Sequence, residues 1–168
     1  MQTIYVLTTG GTIEKMYSER AGTVVNDASK IGDYLDLLRL PDTEVEVVPI
    51  MNIDSLQMTD ADRATLAARI APLLPAARPI VITHGTDTMA QTGIYIQRAF
   101  PQLAVPVILT GAMRPLGFDH SDGLQNLTES LLAARLLAPG VYIVLHGQVF
   151  PADRARKDRD LGTFVAKS

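Results

Sequence analysis

The sequence predicts an α/β fold, a doubly wound and mostly parallel sheet with helices on both faces. Apolar runs of strand length recur at residues 4–7, 44–48, 80–83, 105–109 and 141–145. Several are unbroken Val/Ile/Leu runs, the mark of strands covered on both faces. The segments between them carry apolar residues at helical spacing, and strand–helix alternation with short connections implies right-handed crossovers in a parallel sheet.

The first strand, Ile4-Tyr5-Val6-Leu7, begins almost at once. Ile31, Leu35 and Leu38 mark a helix before the second strand. Thr59, followed by Asp60 and Asp62, reads as an N-cap with acids in the first turn. The helix it opens carries the stripe Leu66, Ile70, Leu73 and Leu74, and Pro75 and Pro79 close it before the third strand. A further helix starts near Asp87 and ends at Pro101. The last, with Leu124, Leu127, Leu131 and Leu132, is capped by Ser121 or Asp122 and stopped by Pro139-Gly140. No internal repeat, low-complexity segment or linker is evident. The connections 8–27, 49–58 and 110–121 are long, and all follow strands, so they share the rim where ligands bind in open parallel sheets. The segment 146–168 joins the same rim. Within it Arg154, Arg156, Lys157 and Arg159 alternate with Asp153, Asp158 and Asp160, as in a solvated loop.

A length of 168 residues fits one domain with a real core, so residues 1–168 are expected to form a single unit. Net charge is −3, which leaves no electrostatic footprint for nucleic acid. The absence of cysteine excludes disulfides and thiol chemistry. The amino terminus lacks a basic, then apolar, leader pattern, and no apolar run approaches the roughly 20 residues that span a bilayer, so a cytoplasmic protein without membrane contact is the default. His84, His120 and His146 have no metal-ligand spacing, and His84 at a strand end reads as a hydrogen-bonded structural residue.

Two strand ends carry candidate chemistry. Thr12 follows Gly10 and Gly11, which allow positive φ and close approach of a ligand to the backbone, where N–H groups can face an oxyanion. The competing reading is a tight strand exit with a capping threonine. The loop lacks the Gly-Lys-Ser/Thr of a phosphate loop and the glycine spacing of a dinucleotide fold. A threonine hydroxyl needs a base within reach. Tyr17 is the local candidate, with Glu19 to orient the phenol; otherwise Tyr17 is a surface aromatic. Thr86 and Asp87 sit where the third strand turns into a helix, and Asp87 also suits a helix cap. Lys157 is the candidate base behind Thr86, since a partly desolvated lysine near other positive charge can accept a proton. Asp54-Ser55 is either a turn or a polar pair for substrate: a carboxylate such as Asp87 suits an ammonium, and Ser55 can donate to a carboxylate.

Thr9-Gly10-Gly11-Thr12 and His84-Gly85-Thr86-Asp87-Thr88-Met89 closely resemble TGGT and HGTDTM, the two signature motifs of the asparaginase family. Gly111-Ala112-Met113-Arg114-Pro115, with Ser121-Asp122-Gly123 and Asn126, is similar to the family as well. The resemblance implies hydrolysis of L-asparagine to L-aspartate and ammonia, with Thr12 as nucleophile through an acyl-enzyme and Thr86, Asp87 and Lys157 as a relay. It implies that Asp54 and Ser55 hold the α-amino and α-carboxylate groups, with Gly11 and Glu19 beside them. Ala112 would turn its carbonyl to the leaving amide, while Arg114 and Asp122 would brace their loop. Where some members place glutamine after the Asp-Ser pair, this chain has Leu56 and then Gln57. The usual member has a second, smaller C-terminal domain, so the expectation is an N-terminal-like catalytic domain, working without cofactor or metal as a homo-oligomer, dimer or tetramer. A glutaminase, an amide-splitting transamidation subunit, or a non-catalytic binder of aspartate or asparagine are the other readings.

Overall fold

The computed structural model describes residues 1–26 and 30–167. Asp27, where the first long connection was expected to end, lies outside them. One sheet organises the chain, built from β1 (Gln2–Gly10), β4 (Thr43–Ile53), β5 (Ile80–Thr83), β6 (Pro106–Thr110), β7 (Gly140–Leu145) and β8 (Gln148–Pro151) in the order β4-β1-β5-β6-β7-β8. All neighbours are parallel except β7 and β8, which are antiparallel.

Alternation along the strands sorts the core into two layers. Tyr5, Leu7, Ile80, Ile82, Val107, Leu109, Ile143 and Leu145 face one side, with Leu66 and Ile70 of α2 (Asp60–Ile70) and Met89 and Ile96 of α3 (Met89–Ala99). Ile4, Val6, Val81, Ile108 and Val144 face the other, against Ile31 and Leu35 of α1 (Ile31–Leu35) and Leu127 and Leu131 of α4 (Gly123–Leu136). The doubly wound arrangement is therefore as the apolar runs predict, but not every crossover is right-handed. β5 to β6 and β6 to β7 step the same way across the sheet with α3 and α4 on opposite faces, so these two crossovers have opposite hands. The chain leaves β1 through a helix on one face and β5 through a helix on the other. The crevice between their carboxyl ends is the topological switch point, where ligands bind in such sheets.

Several elements differ from expectation. α2 stops at Ile70, and the stripe continues as a 3₁₀ turn, Ala71–Ala76, because Pro72 and Pro75 lack the N–H that an α-ladder needs. Its start is the expected one: Thr59 Oγ1 accepts from the Asp62 N–H, and the Asp62 carboxylate accepts from the Thr59 N–H. β4 runs through Pro49 to Ile53, so half of the expected second loop is strand. An edge strand tolerates the proline, and the register shifts there, from Thr8 against Pro49 to Gly10 against Ile53.

The rim loops are also more ordered than a solvated loop. His146 and Gly147, with φ of 54° and 73°, make the tight turn that folds β8 back onto β7. A 3₁₀ turn (Thr12–Glu14) leads into the hairpin of β2 (Lys15–Ser18) and β3 (Thr23–Asn26). A second 3₁₀ turn (Ala152–Arg154) leads into the hairpin of β9 (Ala155–Asp158) and β10 (Thr163–Ala166). The two units, 12–26 and 152–166, have the same element lengths, so a structural repeat exists where none was evident in sequence. Shared residues are few, with Gly22 and Gly162 both at positive φ in the turns. Tyr17 and Lys157 occupy equivalent places, third in the first strand of each hairpin. Among the described residues no helix is long and apolar enough to cross a membrane.

Candidate active site

The two motifs meet in backbone contact at the switch point. Gly11 has φ of 78°, and a Cβ there would lie far inside van der Waals contact with the backbone of Gly85. A Cβ on Gly85 would in turn collide with Ser55. Glycine at both positions lets three rim loops stack, which brings Thr12, Ser55 and Thr86 together. Hydrogen bonds lock the stack: Thr9 Oγ1 donates to the Thr83 carbonyl (2.7 Å), the Gly11 N–H to the Ile53 carbonyl (2.9 Å) and Thr88 Oγ1 to the Ser55 carbonyl (2.8 Å). The Gly11 N–H, with a partner in β4, is thus spoken for, and Gly11 serves the site by close approach rather than by donation.

Lys157 reaches back from β9. Its Nζ donates to Thr86 Oγ1 (2.8 Å) and to Asp87 Oδ1 (2.9 Å), and Arg159 Nη2 donates to the same Asp87 oxygen (2.6 Å). Thr86 is buried, and the Lys157 side chain keeps only 17% of its surface exposed. The capping alternative for Asp87 does not hold, since Thr88 occupies the N-cap position of α3 and the Asp87 carboxylate turns to the two cations instead.

The Asp54-Ser55 turn follows β4. The Lys15 ammonium, 2.7 Å away, holds the Asp54 carboxyl below its usual range, and the Leu56 N–H and the charge of Lys157 add to this. Ser55 Oγ is buried without a hydrogen-bond partner among the described residues. Ala112 follows β6 on the same rim with its methyl in the core.

Tyr17 and Glu19 are not brought to Thr12. Tyr17 is 59% exposed and no hydrogen bond joins it to Thr12 among the described residues. It borders a cavity of about 360 Å³ together with Glu14, Lys15, Tyr34, Leu116 and Phe118. Glu19 is exposed in the hairpin turn. Tyr17 shares a strand face with Lys15, whose ammonium reaches Asp54, but it stands one pleat farther along β2 towards the hairpin turn, where it is left exposed.

Behind the site two polar networks do structural work. His84 is fully buried. Its Nδ1–H donates to the Gly85 carbonyl (2.7 Å), and Nε2 accepts from Thr92 Oγ1 (2.8 Å), which itself accepts from Arg63 Nε (3.1 Å). That chain of donors fixes a neutral tautomer and holds the turn that presents Thr86. Burial is the main cause that pushes the His84 pKa down from 6.5 to about 4. The unfolded chain then binds a proton that the folded chain refuses, so stability falls as pH drops from 6.5 through 4 by about 3 kcal/mol in all. Thermal midpoints from pH 7 to 4.5 should drop accordingly, and His84→Gln should flatten that slope; an equal slope in both proteins would sink this account.

Asp122 anchors the second network. Burial opposes its ionisation, but the Met113 N–H, the His146 side chain and the Arg114 N–H together hold its carboxyl below the usual range. It stands first at α4 yet makes no side-chain cap; Ser121 Oγ accepts from the Gly123 N–H instead. Arg114 donates to the Asp119 carbonyl, so both residues brace the 111–122 loop. His146 bridges Asp122 (2.7 Å) to Thr163 (2.8 Å) and so ties this loop to the Lys157 hairpin. Lys15, Arg63, Thr92 and Thr163 are not singled out by the sequence, while Arg159 reads there as part of a solvated stretch and His146 only as a histidine without metal-ligand spacing. Of these, Lys15 was the most findable, three residues past Thr12 on the same rim.

A family model described as asparaginase, N-terminal, matches residues 3–164. The chain belongs to the asparaginase family. It is 31% identical over 159 residues to an L-asparaginase of Thermococcus kodakarensis, covering 95% of this chain and 48% of that protein. The structure of a thermostable L-asparaginase from the same organism superposes with a TM-score of 0.86 at 30% identity, covering 98% of this chain and 51% of that one. A glutamyl-tRNA(Gln) amidotransferase component of Methanococcus vannielii is 31% identical over 156 residues, covering 89% of this chain and 35% of that protein. The chain thus spans about half or less of the length of these relatives.

Proposed function

We propose that this domain is an amidohydrolase that converts L-asparagine and water to L-aspartate and ammonia. The observation that carries the reading is the bond from Lys157 Nζ to Thr86 Oγ1 (2.8 Å) at the rim where Gly11 and Gly85 bring Thr12 alongside. Two hydroxyls, one of them bonded to a largely buried amine that Asp87 positions, suit a nucleophile and a proton relay.

In this reading Thr12 Oγ1 attacks the side-chain amide carbon. The oxyanion is met by backbone donors near Thr12 and Thr86, and ammonia leaves past the Ala112 carbonyl. Water, activated through Thr86, Lys157 and Asp87, cleaves the acyl-enzyme and frees aspartate. Ser55 Oγ, buried without a partner among the described residues, meets the substrate carboxylate, and Asp87 and Asp54 meet the ammonium. For Tyr17 to take the Thr12 proton with Glu19 behind it, the β2–β3 hairpin must turn inward when substrate binds. In this reading the domain, residues 1–168, works in the cytoplasm as a homo-oligomer, in which a second copy covers the rim of loops and keeps the reaction from water.

Ammonia release measured with L-asparagine and L-glutamine side by side tests the reading. Turnover of asparagine above glutamine is the expected result. The kinship to the amidotransferase component favours, as second reading, an amidase that serves a partner protein. Glutamine turnover that appears only with such a partner would replace the first reading by the second. Binding of aspartate without release of ammonia from either amide would leave an amino-acid binder.

A further inference from the structure

Asp87 is already occupied by the protein's own cations. Its Oδ1 accepts from Lys157, whose side chain is mostly buried, and from Arg159, whose side chain is 70% exposed. Arg159 opens the turn of the β9–β10 hairpin, and that turn is pinned from below, because Asp158 Oδ1 accepts the N–H groups of Asp160 and Leu161. Its backbone is therefore fixed while its long side chain reaches from the surface into the site. Asp54, the other rim carboxylate, is held by Lys15. Lys15, Lys157 and Arg159 thus stand against Asp54 and Asp87, with the buried Glu14 carboxylate behind them on the Gly10 N–H and Thr83 Oγ1.

We infer that Arg159 is a specificity-determining residue that competes with the substrate's α-ammonium for Asp87. The inference rests on the reading of Asp87 as the seat of that ammonium. Both cations sit on Oδ1, so an incoming ammonium that takes Oδ2 still shares the carboxylate's single charge with the guanidinium and is repelled by it, a penalty that a ligand without an ammonium escapes. The site therefore gives the α-amino group little advantage. It accepts monoamides of dicarboxylic acids that lack a free ammonium, such as succinamate, alongside asparagine. The guanidinium is a fixed, permanent charge, so pH does not relieve the competition.

L-Aspartate and succinate differ only in the ammonium, and both are stable ligands for a direct test. Their dissociation constants are measured on the wild type, Arg159→Gln and Arg159→Lys, with kinetics on L-asparagine and succinamate alongside. The wild type should bind the two acids within a few-fold of each other. Arg159→Gln should improve aspartate relative to succinate by about three-fold or more, the scale of an exposed ion pair. KM for asparagine should fall, and Arg159→Lys should keep the wild-type ratio. An unmoved ratio, a shift towards succinate, or no binding of either acid overturns the inference. A shifted ratio in a protein that releases no ammonia would retain the inference and remove the hydrolytic reading. Turnover of asparagine with an unmoved ratio would do the reverse.

Discussion

Thr12→Ala should lose turnover by about 10⁴-fold or more, the scale at which removal of a catalytic nucleophile acts. The fold should barely notice. Thr12 sits half-buried after two glycines, and its hydroxyl makes no hydrogen bond among the described residues. Loss of an unbonded hydroxyl outside the core falls in the range of about 0.5 kcal/mol. The close approach of Gly11 to Gly85 is untouched, so the loop keeps its course. Initial rates and thermal midpoints on the same preparations separate the two effects. Thr12→Ser should recover part of the activity, because it restores the oxygen. Activity above a tenth of the wild type in Thr12→Ala would remove Thr12 as the attacking group and turn attention to Thr86.

Lys157→Met should lower kcat by about 10²–10⁴-fold, the range for a positioned proton carrier. The geometry isolates the amine. Methionine keeps an unbranched stem along the strand, Phe164 opposite it stays in the core, and only the bonds to Thr86 and Asp87 are lost. Asp87 is not stranded, because Arg159 remains on the same oxygen. Stability should therefore fall by about 1–2 kcal/mol, which in a chain of this size moves Tm by roughly 2–8 °C. Single-turnover experiments should show the acyl intermediate accumulating, since the lysine acts behind the resolving water. A kcat within ten-fold of the wild type would dismiss Lys157 from the relay.

How much of this was legible in the chain varies by element. The interior strands β5, β6 and β7 were bounded to within a residue, because strands covered on both faces leave an unbroken apolar run between turn residues. The capping box at Thr59 was half legible, as Thr59 and its acids are local in sequence. β4 was read short because an edge strand alternates with polar residues and admits Pro49. β8 was missed although His146-Gly147 ahead of Val149 and Phe150 is a hairpin signal. The two small hairpins were missed because each has only four-residue strands on a largely polar surface, too short for a period to register.

The sequence by itself determined the five parallel strands of the sheet, its helices and which loops share the rim, because each rests on apolar periodicity and on breakers a few residues apart. It also determined that glycines and threonines end the first and third strands read from it, β1 and β5. Only the tertiary structure decided how the side chains of that rim pair. Lys157 on Thr86, Lys15 on Asp54, Arg159 on Asp87 and His146 between Asp122 and Thr163 each join residues far apart in the chain. Tyr17 and Lys157 hold equivalent places in matching hairpins, yet one points to solvent and the other into the site. No local pattern separates them. The difference comes from what each hairpin packs against, with Phe164 of β10 buried in the core and the strands of β2 and β3 left at the surface.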